Sequence, residues 1–365
     1  MTRGRFAPSP TGRMHLGNVF CALLSWLSAK SKGGEWVLRI EDLDPQRSKK
    51  DYALQLMDDL QWLDLPWDGE PVWQSQRGDI YEEYLQRLTD MGLTYPCYCT
   101  RADIMATQAP HETDGRVVYK GTCRPSAPSP LTAHRSPLTV SRSPLTATTR
   151  LIVPDCTIPF TDGHYGKHDI NLAEHCGDYI IRRKDGAWAY QLAVVVDDAL
   201  MGVTEIVRGR DLLLSSPQQI HLRNLLFQST ENRVQSTEYR VQMTDDLLKQ
   251  KTDSLNATSL PHQTVPLRQG DERSGGGGLT AHHSPLTVDF FHHPLLCNAE
   301  GQRLCKRDKS MDLGYIRGAG ITPQEIIGKL AYLAGLTDTT TPITPSELLP
   351  LFSWKKVPTE DIILK

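Results

Sequence analysis

Long apolar runs are missing from this chain. The most hydrophobic stretch, QLAVVVDDAL, is interrupted by Asp197 and Asp198, and the N-terminus has no apolar signal-peptide core. A membrane-spanning helix needs about 20 mostly apolar residues, so a cytoplasmic protein with no membrane association is expected. A strong charge of one sign is missing too. The net charge of −3 excludes global attraction to nucleic acid and leaves any RNA contact to a local basic face. There is no aromatic-rich motif of the kind that stacks unpaired bases. The basic turn Arg182, Arg183, Lys184 could meet phosphate, and equally reads as a solvated turn. The 365 residues are otherwise those of an ordinary globular chain, 39% hydrophobic and 23% charged, with room for two or three domains and a sizeable core.

The first ninety residues alternate strand and helix. Leu16, Val19, Phe20, Leu23 and Leu27 recur at helical spacing, and Gly33 and Gly34 end that run. EWVLRIED is β-rich; Ala53, Leu56, Met57, Leu60 and Leu63 mark a second amphipathic helix; Tyr84, Leu85, Leu88 and Met91, stopped by Gly92, mark a third. The pattern resumes at AYQLAVVVDD and VTEIVRG, and another helix opens at Ser216 and Pro217. Such alternation predicts an α/β fold built on a doubly wound parallel sheet, with ligands beyond the carboxyl ends of its strands. Near the end, ITPQEIIGKLAYL and ITPSELLPLF each begin Thr-Pro-x-Glu, joining an N-cap, a first-turn proline and a capping-box glutamate, and predict two short helices.

Two segments break the pattern. Residues 126–149 repeat SPLT with a period of seven, and residues 227–288 hold QSTENRVQSTEYRVQ, a GGGG run and a near copy of LTAHRSPLTV. Neither has an apolar face, so disorder or an exposed loop is expected. A seven-codon period is what a seven-base DNA repeat produces, and both are read as insertions.

The opening RFAPSPTGRMHLGN runs from a strand through two prolines and a glycine into a helix led by His15. Such a turn leaves the first N–H groups of the helix aimed above the strand ends, where an anion is stabilised. With its continuation, this stretch resembles the nucleotide site of class I aminoacyl-tRNA synthetases of the glutamate branch. His15, Leu16, Gly17 and Asn18 stand at the HIGH signature, and RLCKR, Arg303 to Arg307, resembles the KMSKS loop. RIEDLDPQRS, WQSQR, YQLAVVVDD and EIVRGRDLLLSSPQQI follow the family in the same order. The likeness covers nearly all of the chain except the two insertions.

The resemblance implies a class I synthetase fold: a Rossmann-like doubly wound parallel sheet with an inserted zinc-binding subdomain and a short helical C-terminus. Residues 1–92 would form the first half of the nucleotide-binding fold, 93–177 the inserted subdomain, 178–320 the second half and 321–365 the helical end. It further implies activation of glutamate with ATP and Mg²⁺. His15 and Lys306 would be catalytic; His15, Gly17, Asn18 and Lys306 would bind ATP; Arg5, Phe6, Ala7, Pro8, Ser9, Glu41, Tyr190 and Arg208 would bind glutamate. The residue types suit that substrate, since guanidiniums match carboxylates and a carboxylate matches the ammonium. Read without the resemblance, the two arginines could be surface residues, Glu41 half of a salt bridge, and Lys306 one member of a solvated basic run. Cys305 stands where the family usually has serine, and a thiol is the poorer hydrogen-bond donor.

Of eight cysteines, Cys97, Cys99 and Cys123 cluster, which in a reducing compartment suggests a metal before a disulfide. Three thiolates are one ligand short of a closed zinc site. The relatives complete theirs with a tyrosine four residues before the last cysteine, here Tyr119; His111 is the more conventional fourth ligand, and three buried free thiols are the plain alternative. Zinc so held would be structural.

Only 58 residues follow Arg307, fewer than the roughly 100–150 of an ordinary domain that would read an anticodon. The expectation is therefore a truncated relative, a monomer, that passes glutamate to the queuosine base of tRNA(Asp). A catalytic fragment charging tRNA(Glu), and a zinc-stabilised RNA-binding protein without the chemistry, are the alternatives.

Overall fold

Strand β1 (Arg3–Phe6) pairs in parallel with β2 (Glu35–Ile40) on one side and with β9 (Glu205–Gly209) on the other. The structure, a computed structural model, describes residues 1–106, 118–119, 121–125, 147–227, 288–304 and 312–364. The sheet extends through β3 (Val72–Trp73) beyond β2, and through β10 (Asp289–His293) and β6 (Thr157–Asp162) beyond β9, in the order β3-β2-β1-β9-β10-β6-β7. Every neighbouring pair is parallel except the hairpin of β6 with β7 (Gly166–Asn171). Parallel pairing sets the carboxyl ends of β1, β2, β9 and β10 along one edge, where an α/β fold binds its ligands.

Helix α1 (Leu16–Lys30) crosses back over this sheet, and Val19, Phe20, Leu23, Leu24 and Leu27 are fully buried in the main core with Trp36, Leu38 and Ile40. Each such side chain contributes about 1.5–3 kcal/mol of burial. Gly4 permits the close approach: a Cβ there would stand 3.1 Å from Ala29 Cβ. Helices α2 (Lys50–Trp62) and α3 (Gly78–Asp90) match the spacing read above, and Gly92 after α3 takes a left-handed φ of 71°. AYQLAVVVDD forms α6 (Tyr190–Leu200), and α7 (Ser216–Phe227) opens at the Ser-Pro pair.

A second, antiparallel sheet joins β4 (Thr94–Cys97), β5 (Thr148–Leu151) and β8 (Ile180–Arg182). Short helices α4 (Arg101–Ala106) and α5 (Leu172–His175) lie in the connections. Of residues 93–177, then, β4 and β5 build the small sheet while β6 and β7 belong to the large one. Asp178, fully buried, holds the small sheet together: Tyr95 Oη donates to it at 2.6 Å, the Val153 N–H at 2.7 Å and Arg124 Nε at 2.9 Å.

The C-terminal elements α8 (Leu313–Gly318), α9 (Pro323–Leu333) and α10 (Pro345–Leu348) return to the main core through Ile316, Ile327, Leu330 and Leu348. Both Thr-Pro-x-Glu openings form reciprocal caps: Glu325 accepts from the Thr322 N–H at 2.7 Å, and Glu347 from that of Thr344 at 2.9 Å. The short strands β11 (Leu296–Cys297) and β12 (Ile362–Ile363) then pair in parallel.

The repeats fall outside the described residues apart from their margins. Thr148 and Thr149 already belong to β5, where β-branched residues suit a half-buried strand; Phe227 ends α7, and Val288 packs against Val203, Ile206 and Phe290. No helix among the described residues is long and apolar enough to cross a membrane.

Candidate active site

A cavity of about 430 Å³ opens at the carboxyl ends of β1, β2 and β9. Its wall includes Arg5 and Phe6 from β1, the turn Ala7, Pro8 and Ser9, the helix start His15, Gly17 and Asn18, then Glu41 after β2, Tyr190 at the head of α6, and Arg208 in β9. These sequence-predicted residues come from four separate stretches and meet in one place. Lys306 and Cys305 lie outside the described residues.

The start of α1 is built to fix one imidazole. His15 caps the helix: its Nδ1 accepts from the Gly17 N–H at 3.1 Å, and its own N–H donates to Asn18 Oδ1 at 3.1 Å. Because Nδ1 accepts, the neutral ring carries its proton on Nε2. A Cβ at position 17 would stand 3.0 Å from both Cε1 and Nδ1 of His15, so only glycine leaves the ring undisturbed.

Arg5 and Arg208 are each 4% exposed, so neither is a surface arginine. Arg5 Nε lies 3.3 Å from Asp198 Oδ1, and the same oxygen accepts from Arg39 Nη1 at 2.6 Å. Arg39, fully buried, also donates to Glu41 Oε1 at 3.1 Å. Glu41 is thus a salt-bridge partner as well as a wall of the cavity. Burial raises the Glu41 carboxyl above its ordinary value, with Arg39 and Arg5 pulling the other way. Burial would raise Asp198 as well, but Arg39 and then Arg5 hold it below the usual carboxylate range. Asp197 beside it accepts from Arg77 Nε at 2.6 Å, Tyr81 Oη at 2.7 Å and Gln74 Nε2 at 2.8 Å, pinning α6 against α3. Burial raises the Tyr190 phenol, so it stays protonated.

Sequence reasoning missed Arg39, Asp197 and Asp198 as site supports; the only signal was an acidic pair closing an apolar run. It also missed Asp162 and His292, which stand behind Arg208 and carry no local signal. The basic turn is engaged elsewhere. Arg182 pairs with Glu82 at 2.6 Å and stacks over Trp188, and Arg183 pairs with Asp185 and Asp44.

On the small sheet, the sulfurs of Cys97, Cys99 and Cys123 all lie within 4.8 Å of one another. Tyr119 Oη is 3.4 Å from Cys97 Sγ and 3.6 Å from Cys99 Sγ, and accepts from the Cys123 N–H at 2.7 Å. The Arg150 guanidinium lies 3.8 Å over the Tyr119 ring. Three sulfurs converging on one point, with a phenol oxygen beside them, make a donor set consistent with a metal site. His111 lies outside the described residues.

Residues 1–263 match the family described as tRNA synthetases class I (E and Q), catalytic domain. The Glutamyl-Q tRNA(Asp) synthetase of Symbiobacterium thermophilum is 37% identical over 99% of this chain and 95% of that protein. The one from Nitratidesulfovibrio vulgaris is 36% identical over 100% and 95%. The one from Neisseria gonorrhoeae is 46% identical over 62% of this chain and 72% of its own. Among solved structures, a glutamate tRNA ligase from Elizabethkingia meningosepticum in complex with its amino acid shares the fold, with a TM-score of 0.68 at 24% identity, covering 100% of this chain and 67% of that one. With the family matched over residues 1–263 and two relatives matched almost end to end, the chain belongs to the class I tRNA synthetases of the glutamate and glutamine group, among the Glutamyl-Q tRNA(Asp) synthetases.

Proposed function

We propose that the chain activates glutamate with ATP and passes the glutamyl group to the queuosine base of tRNA(Asp). The observation that carries this reading is one cavity bordered by two buried guanidiniums, a buried carboxylate and a histidine-capped helix start. Those charges mirror an amino acid with two carboxylates and one ammonium. The names of the full-length relatives supply the acceptor.

In activation, a carboxylate oxygen of glutamate attacks the α-phosphorus of ATP in line and pyrophosphate leaves. The protein contributes position and neutralisation of charge. Arg5 and Arg208 hold carboxylates, Glu41 takes the ammonium, and Tyr190 with the Phe6 to Ser9 turn shapes the wall. His15 donates from Nε2 to phosphate oxygens at the electropositive end of α1. Gly17 and Asn18 let the phosphates approach, and Lys306 balances charge on the leaving pyrophosphate; Mg²⁺ carried by ATP would add further charge neutralisation there. Glutamate-dependent ATP–pyrophosphate exchange in the absence of RNA tests this half. Its failure in folded, metal-loaded protein would favour an RNA-binding protein without the chemistry. Labelled glutamate offered to tRNA(Asp) with and without queuosine, and to tRNA(Glu), tests the second half. Label on tRNA(Glu) would point to a charging fragment instead.

Glu41 must be ionised to hold an ammonium, and burial raises its carboxyl. The KM for glutamate in the exchange reaction is therefore expected to climb as pH falls, with a midpoint above the ordinary glutamate value of about 4.3. A KM that stays flat to that value would remove Glu41 from this role.

The cysteine cluster suits structural zinc, held by Cys97, Cys99, Cys123 and, as fourth ligand, Tyr119, whose oxygen already lies beside two of the sulfurs. Metal analysis should find one zinc per chain. Cys97→Ser should lower that content well below one and lower the Tm, while exchange without RNA persists; full zinc in the variant would refute the site.

A further inference from the structure

The two guanidiniums of the cavity are equally buried but differently neutralised. Arg5 has Asp198 at 3.3 Å. Arg208 makes no ion pair among the described residues: its Nε donates to His292 Nε2 at 3.0 Å, Nη1 to Gln219 Oε1 at 2.7 Å and Nη2 to Ser216 Oγ at 2.8 Å. All three acceptors are neutral. Burial lowers the Arg208 pKa and Arg5 nearby lowers it further, against the opposing pull of Tyr190 and the more distant Asp198.

The histidine contact fixes a tautomer. A guanidinium can only donate, so His292 Nε2 is the bare nitrogen and Nδ1 carries the proton. That proton goes to Asp162 Oδ2 at 2.6 Å. Asp162 is itself immobilised, its Oδ1 accepting from the backbone N–H of Tyr165 at 2.8 Å and of His164 at 3.0 Å. Both residues are sealed from solvent, His292 at 0% and Asp162 at 1% exposure. Burial pushes the His292 ring down to about 4, which keeps it neutral in the working range.

We propose that Asp162 and His292 form a positioning pair for substrate selection, holding the Arg208 fork through a neutral acceptor so that its positive charge stays unspent until a substrate carboxylate arrives. This rests on the glutamate-activating reading of the cavity. A carboxylate at the place of His292 would neutralise Arg208 as Asp198 does Arg5. The imidazole keeps the Asp162 charge a ring's width away, yet passes on the orientation that Asp162 imposes.

Asp162→Asn tests the pair. Oδ1 keeps the N–H donors of Tyr165 and His164 and the longer one of His292, so the new amide N–H₂ faces His292 Nδ1, and it also replaces the oxygen to which the His292 N–H donates at 3.1 Å. The ring must then move its proton to Nε2, opposite the Arg208 Nε–H, and two donors meet. The expected result is a rise in the KM for glutamate of on the order of 10-fold in RNA-free exchange, the scale of one lost hydrogen bond to a charged group, with the KM for ATP within about twofold. Preference for glutamate over glutamine should fall by a similar factor. His292→Gln, whose amide oxygen can stand near Nε2, should restore most of what His292→Phe loses. Nitrogen-15 NMR of the ring should find a bare Nε2 in the wild type and the reverse in Asp162→Asn. A protonated Nε2 in the wild type would overturn the proposal. So would unchanged KM values in folded Asp162→Asn, or glutamate and ATP KM values rising in step. If Asp162→Asn does not fold, the glutamine and phenylalanine variants and the wild-type spectrum decide. Loss of exchange in the wild type would instead defeat the glutamate reading, and with it the selection role, whichever nitrogen carries the proton.

Discussion

Arg208→Met is expected to cut kcat/KM for glutamate in ATP–pyrophosphate exchange by on the order of 10³-fold, with little change in Tm. Two charge-assisted hydrogen bonds to a carboxylate are worth about 1.5–3 kcal/mol each, and about 4 kcal/mol corresponds to that factor. Stability behaves differently because Arg208 is a buried cation whose hydrogen-bond partners among the described residues are all neutral. Its desolvation is not repaid inside the free protein. Methionine relieves that cost, offsetting the three hydrogen bonds lost. Exchange kinetics and a melting curve on the same preparation check both halves. Near-normal kinetics would mean that Arg208 does not bind substrate. A collapse of Tm would mean that the guanidinium is structural.

Arg39→Met should do the opposite. This guanidinium is fully buried, with Asp198 at 2.6 Å, Glu41 at 3.1 Å and Asp197 at 4.0 Å. Among the described residues, removing it leaves Asp198 with only the longer Arg5 contact and Glu41 without an ion pair. Breaking a buried pair from one side costs about 3–5 kcal/mol, which for a chain of this size lowers the Tm by on the order of 10 °C. The Asp198 carboxyl, held low by Arg39 and Arg5, contributes stability that is present above its unfolded pKa of about 3.9 and is lost as pH falls through the lower folded value. In Arg39→Met much of that contribution should vanish at neutral pH. Melting curves between pH 3 and 7 check this; a variant as stable as the wild type across that range would show that the carboxylates are satisfied without Arg39.

The contrast separates two uses of a buried arginine. Arg39 has its counter-ions in the fold and holds β2 to α6. Among the described residues Arg208 has no ion-pair partner, which leaves its charge available at the cavity. Nothing in residue type distinguishes them, because both are arginines in β-rich stretches of the chain. Only the neighbours that the fold brings up do: Asp198 and Glu41 for one, His292 and Gln219 for the other.

Much of the site was legible because the family signatures are local. His15, Gly17 and Asn18 occupy one turn, and the cap that fixes His15 uses atoms no more than three residues away. The same holds for the cysteine pair at 97 and 99. The supports of Arg208 were not legible: His292 lies 84 residues after it, and Asp162 lies 130 residues before His292, on the other side of Arg208. Asp197 and Asp198 were visible in the sequence, but only as interruptions of an apolar run. In the fold they are buried acceptors for groups more than a hundred residues away.

By itself the sequence determined where α1, α7, α9 and α10 open, which of the first ninety residues alternate as strand and helix, and which residue types stand at the signature positions. These depend on caps, on glycines with left-handed φ and on hydrophobic spacing, all of which act within a few residues. The tertiary structure alone decided the strand order, with β9 and β10 beside β1, and hence which charges meet. Burial then set how much each charge is worth, because an ion pair, a neutral acceptor and an empty partner position differ by several kcal/mol only where water is excluded.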